Sequence, residues 1–131
     1  MNRDRTLDKL SESCKMVNQV NRAFRRTYAD ALMIVTLGRL PDDTEYGERN
    51  PLDDLESLVA LELPDFAIEC RNLKTSRDRL GKLFTDAVLA ISIDKSVNAP
   101  TGDNLSIELK VAESACDAFL SKAYAIVRTL Q

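Results

Sequence analysis

The chain has 131 residues, 44% hydrophobic and 30% charged, a balance that folds rather than stays disordered and a length that suits one domain. Aromatics reach only 5%, Trp is absent and Gly numbers four, which argues against a β-sandwich or barrel. With no His and a net charge of −3, imidazole acid–base chemistry, His-dependent triads and His–metal sites are excluded, and the molecule as a whole is no polyanion binder.

Met1-Asn2-Arg3-Asp4-Arg5 leads into an amphipathic segment rather than an apolar leader, so no signal peptide is expected. Between Arg5 and Leu37 the residues Leu7, Leu10, Cys14, Val17, Phe24, Tyr28, Ala31 and Val35 recur at steps of three and four. That is the period of one helix face, and it predicts a helix over 5–37 about 50 Å long. Gly38 followed by Pro41 is its stop signal. Residues 38–50 read as the one sizeable loop. Asn50 can then cap a helix, Pro51 suits its first position, and Asp53, Asp54 and Glu56 complement its positive end. Leu52, Leu55, Val59 and Leu63 continue an apolar face, which predicts a short helix over 51–63.

Pro64 interrupts this face. Phe66, Cys70, Leu73, Leu80, Phe84, Ala87 and Ile91 resume the stripe almost in phase and predict a helix over 65–97. Residues 51–97 are thus one kinked helix or two helices meeting at a corner, with the kink or break near Leu63–Asp65. Asn98 to Gly102 read as a loop. Asp103 reads as the cap of a last helix, 103–130, carrying Leu105, Leu109, Ala112, Cys116, Phe119, Ala123, Ile126 and Leu130. The expected fold is all-α: an elongated antiparallel up-down bundle of three long helices plus the short one, in a single domain 1–131. No apolar run is long enough to span a membrane.

Cys14, Cys70 and Cys116 are odd in number, lack a C-x-x-C pair and sit on the stripes of three different helices. They read as free thiols filling the core in a reducing, cytoplasmic compartment. Asn21 and Arg77 fall where the apolar rows call for a hydrophobe. Such residues either stand at the edge of the core with their tips in water or lie under a partner helix and set register.

Charge is uneven along the chain. Residues 1–26 carry +4, 27–70 carry −9, 71–82 carry +4 and the remainder −2. If the chain folds back so that Leu37 lies near Asp65, residue 24 comes level with residue 78. Arg22, Arg25 and Arg26 then share a height with Arg71, Lys74, Arg79 and Lys82, forming a basic belt suited to an anionic partner. The acidic segment Asp42, Asp43, Glu45, Glu48, Asp53 and Asp54 is a second recognition candidate. Six of the seven aromatics (Phe24, Tyr28, Phe66, Phe84, Phe119 and, at its edge, Tyr124) are expected near the core. Tyr46 alone is left in a loop, which is a poor platform for stacking bases.

Two short motifs carry likenesses to enzyme families. Glu45-x-x-Glu48 with Glu62-x-x-Asp65 resembles the paired acidic motif of all-α nucleotide pyrophosphohydrolases, which implies Mg²⁺ held from two helices; Gly47 and Pro64 interrupt the tetrads here. Arg71-Asn72-Leu73-Lys74-Thr75-Ser76 resembles the Arg-Asn-x-x-x-His signature of HEPN-type helical ribonucleases, with Ser76 where that family has His. That replacement implies an inactive partner or scaffold rather than a nuclease.

The function these features point to is a non-enzymatic protein–protein interaction module: an adaptor, a small complex subunit or an inhibitor-type binding protein. It is expected to act as a homodimer or within a larger complex, without a metal or cofactor. The alternative is non-sequence-specific nucleic-acid binding through the belt, and a third reading is a Mg²⁺-dependent all-α nucleotide hydrolase.

Overall fold

Local chemistry sets each helix boundary in the computed structural model, which describes residues 3–40, 50–92 and 98–130. Helix α1 runs Arg3–Leu37 and ends where Gly38 takes φ +68°, its N–H donating to the Ile34 carbonyl at 2.8 Å. Only glycine adopts that left-handed conformation without a Cβ penalty. Helix α2 runs Pro51–Glu62, and the Asn50 side-chain oxygen accepts from the Leu52 N–H at 2.9 Å. Both signals were legible in the sequence.

At Pro64 the chain breaks rather than kinks. Leu63 leaves the helical region at φ −133° and ψ 58°, a 3₁₀ turn spans Pro64–Phe66, and α3 runs Ala67–Ser92. Proline has no N–H to continue the ladder, and its ring collides with the preceding turn. Helix α3 therefore begins two residues later than periodicity predicts, and residues 93–97 of the predicted span lie outside the described residues. Helix α4 runs Gly102–Leu130. Its cap is Thr101, not Asp103: Thr101 Oγ1 accepts from the Asn104 N–H at 3.0 Å while Asn104 Oδ1 accepts from the Thr101 N–H at 3.1 Å. This reciprocal box satisfies two otherwise orphaned donors, and Asp103 sits inside the first turn instead.

Side-chain pairs give the topology. Arg5 of α1 meets Glu62 at the end of α2, so α2 descends beside the N-terminal part of α1. Lys74 meets Glu56 and Arg77 meets Asp53, so α3 rises against α2 as a hairpin. Lys122 meets Glu69 and Arg25 meets Glu113, so α4 descends against both α3 and α1. The architecture is an all-α up-down-up-down bundle, and no strand is present among the described residues. The expected fold-back of Leu37 onto Asp65 is incorrect. Along α4, Leu32 lies beside Gly102 whereas Asp65 lies beside Lys122, about 30 Å apart at 1.5 Å per residue. The short α2 provides the return stroke, so α1 and α3 are parallel to one another.

The main core is built from the apolar rows: Leu10, Val17, Val20 and Phe24 of α1, Leu52, Leu55 and Leu58 of α2, Leu73 and Leu80 of α3, and Ala112, Phe119 and Ala123 of α4. Each fully buried large aliphatic side chain contributes about 1.5–3 kcal/mol relative to exposure. Phe66 and Phe119 stack at 4.7 Å between ring centroids, tilted by 38°. Ser13 interrupts the row without penalty because its hydroxyl donates to the Leu10 carbonyl at 2.7 Å. Cys70 and Cys116 are buried, Cys14 half-buried, and all three are free thiols.

Candidate functional site

Stepping nine residues along α4 from Lys122 to Glu113 corresponds to stepping from Glu69 to about residue 78 on α3, because Lys122 marks the height of Glu69 and Glu113 that of Arg25. Arg25 therefore stands level with Asp78 after all, although the parallel course of α1 and α3 puts it there rather than the fold-back. The seven basic side chains occupy one band about 16 Å tall along the bundle.

Their individual states differ. Arg25 is tied to Glu113 at 2.8 Å and Lys74 to Glu56 at 2.9 Å. Arg22, Arg71, Arg79 and Lys82 are exposed and form no ion pair among the described residues. Arg26 is exposed as well. Arg22 projects opposite the buried row of α1, while Arg71 and Lys82 project opposite the buried row of α3. Both rows face the shared core, so these cations point away from one another, forming a girdle on two sides of the bundle rather than one patch. A flat anionic surface engages one side at a time.

The acidic candidate is only partly placed. Asp42, Asp43, Glu45 and Glu48 lie outside the described residues. Asp53 stands in the first turn of α2 with Arg77 Nη1 at 3.7 Å, and Asp54 is half-buried beside it. Both carboxylates sit where the helix dipole favours them.

Of the two polar residues in the stripes, Arg77 stands at the edge of the core. Its side chain is half-buried and its guanidinium reaches Asp53 and, at 3.2 Å, Asp78. Asn21 differs, since its Oδ1 is buried and meets no donor among the described residues. Sequence reasoning missed Glu108, whose Oε2 is likewise buried without a donor among them. Its place three residues after the buried Leu105 and four before the buried Ala112 was the signal that could have found it, since the exposed Asp103 and Asp117 fall on the opposite side of α4.

Of the two enzyme-like motifs only the second lies wholly within the described residues. Glu45, Glu48 and Tyr46 lie outside the described residues. Glu62 is held by Arg5, whose hydrogen bonds and charge keep its carboxyl below the usual range, while Glu62 holds the Arg5 guanidinium above its own. Ser76 is buried, whereas Arg71 is exposed on the other side of α3, so that hexad does not converge on one point. Burial pushes the Cys116 thiol up to about 12, with Asp117 and Glu113 adding to it, so it stays protonated and inert at neutral pH. Burial also raises Cys14 and Cys70. Among the described residues no group of three carboxylate or thiol side chains is close enough to hold a metal ion. None of the described helices is long and apolar enough to cross a membrane.

Tyr124, expected at the edge of the core, is exposed on the outer side of α4. At 100° per residue it lies more than a quarter-turn from the buried row that ends at Ala123, which the simple three-four count conceals. Comparison with protein-family models, with curated proteins and with solved structures finds no match for this chain.

Proposed function

We propose that this chain is a non-enzymatic protein–protein interaction module, an adaptor or small complex subunit, that engages an acidic protein surface through its basic girdle. The observation that carries this is a contrast among the cations of one bundle. Arg5, Arg25, Lys74 and Lys122 are each committed to a carboxylate, while Arg22, Arg71, Arg79 and Lys82 have no ion pair among the described residues. Uncommitted cations on rigid helices can pair with a partner's acids without first breaking an internal bridge, and such charges raise encounter rates and select partners. Nucleic-acid backbone is the second reading, supported by the same charges. The exposed Tyr124 lies on α4, away from the outward rows of α1 and α3 that carry them, so it adds no base-stacking platform to the girdle.

The test compares the wild-type chain with the Arg22→Glu/Arg79→Glu variant in quantitative affinity purification from native cells, alongside anisotropy with a labelled oligo-dT. The expected result is that one acidic protein is captured by the wild type, released by raised salt and lost from the variant. Identical captured sets from both chains would sink the proposal. Charge-dependent oligo-dT binding without such a protein would transfer it to nucleic acid.

A further inference from the structure

Helix α4 turns its buried row, from Leu105 through Ala112 and Phe119 to Ala123, toward α1 and α3. Its opposite face is unpartnered along its length among the described residues. Ile107, Val111, Ser114, Ala118, Ser121 and Ala125 recur there at alternating steps of four and three, and all six are exposed. This is the 3.5-residue spacing of a helix–helix seam. The face also carries two large apolar side chains. Ile107 is 60% exposed and Val111 44%. These are two of the eight large hydrophobic side chains exposed among the described residues.

The order of side chains along this face selects its occupant. The bulky pair, Ile107 and Val111, lies toward the N-terminal end, and the small pair, Ser121 and Ala125, toward the C-terminal end. Asp103 stands at the first end and Arg128 at the other. A second copy laid antiparallel about a midpoint near residue 116 sets Ile107 opposite the partner's Ala125. It also sets Val111 opposite the partner's Ser121 and Ser114 opposite the partner's Ala118. Asp103 then comes beside the partner's Arg128, and two-fold symmetry repeats every relation. Large side chains meet small ones, so the layers interdigitate, and both ends carry opposite charges in contact. A parallel copy would stack Ile107 on its own equivalent, leave gaps at Ala125, and juxtapose Asp103 with Asp103 and Arg128 with Arg128.

We infer that the outer face of α4 is a self-association surface on which a second copy of this chain seats antiparallel. The inference goes beyond the proposed function, because none of the girdle residues lies on this face; the two stand or fall separately.

Sedimentation equilibrium of the full chain over the micromolar range tests it. The expected mass is twice the 14.6 kDa of one chain. Ala118→Glu places a charge at the centre of the seam on an already exposed position, so it should give the single-chain mass with unchanged far-ultraviolet circular dichroism and melting temperature. Asp103→Arg and Arg128→Asp should each weaken association about three- to tenfold, and the double swap should recover it. A wild-type chain that stays single throughout, an Ala118→Glu variant that still pairs, or a double swap no better than either single change overturns the inference.

Discussion

The two ends of the bundle are built differently. At the end that holds α2, four helices enclose the core cluster, and its buried side chains are large: Leu10, Leu52, Leu55, Phe66, Leu73 and Phe119. At the other end α2 is absent, and α1, α3 and α4 close on one another with Ala31, Ile34, Ala87 and Leu105, which lie outside that cluster. Met33, Leu37 and Leu40 are exposed on α1 and just beyond it. The fourth helix is only 12 residues long, about 18 Å, and it cannot run the length of the 35-residue α1. A single short element thus decides how far along the bundle a fourth helix encloses the core. Three helices close around two alanines with Ile34 and Leu105, whereas four enclose a larger cluster that includes Phe24, Phe66 and Phe119.

That contrast can be broken most directly by cutting side chains at both ends. Phe119→Ala removes a fully buried ring from the stack with Phe66 and should cost about 3–5 kcal/mol in urea unfolding, whereas Ile34→Ala should cost nearer 2 kcal/mol. Equal costs, or a greater loss at Ile34, would show that the core extends evenly along the bundle.

A smaller effect sharpens the same comparison. Lys122 sits at the four-helix end, where it donates to the Asp65 carbonyl and, at 2.9 Å, to Glu69, and lies 4.9 Å from the Phe66 ring centroid. Lys122→Met should cost about 1–2 kcal/mol, because several contacts that pin the start of α3 are lost together. Arg25→Met, which removes an exposed pair with Glu113 nearer the three-helix end, should stay below about 0.5 kcal/mol. Chemical denaturation of both variants measures the difference, and a reversal of their order would contradict the account.

The smallest effect is on pH. Burial alone would raise the Glu69 carboxyl, but hydrogen bonds from Lys122 and the backbone, with the Lys122 charge, outweigh it and hold the group below its ordinary value of 4.5. A carboxylate whose folded value is depressed contributes stability that is present above pH 4.5 and lost as pH falls through the folded value. The melting temperature should therefore drop on acidification below that point, and Glu69→Gln should show a shallower drop. Parallel profiles for the two chains would remove Glu69 from the explanation.

Much of this fold was legible in the residues because its signals are local. Gly38, Asn50 and Pro64 act within one turn of themselves, and each marks the helix boundary where it stands. The three- and four-residue rows named most of the buried side chains, missing Val20, Ile34 and Leu58 and the buried Ser13 and Ser76, since burial in a bundle follows the angle around a single helix. The Thr101–Asn104 box was overlooked in favour of Asp103 because both Thr101 and Asp103 precede an apolar row. Only the reciprocal hydrogen bonds distinguish them.

Relations between helices were a different matter. Helix–helix direction depends on which connection reverses the chain, and that is fixed by contacts between residues far apart in sequence: Arg5 with Glu62, Arg25 with Glu113, Lys122 with Glu69. The sequence therefore determined the composition of the girdle and the rows behind it. Only the packed structure decided that α1 and α3 run parallel and that, among the described residues, four of the girdle cations stand without an ion pair and nothing covers the outer side of α4. Periodicity records how each helix meets the core; which neighbour covers which flank is settled only when all the rows compete for the same buried volume.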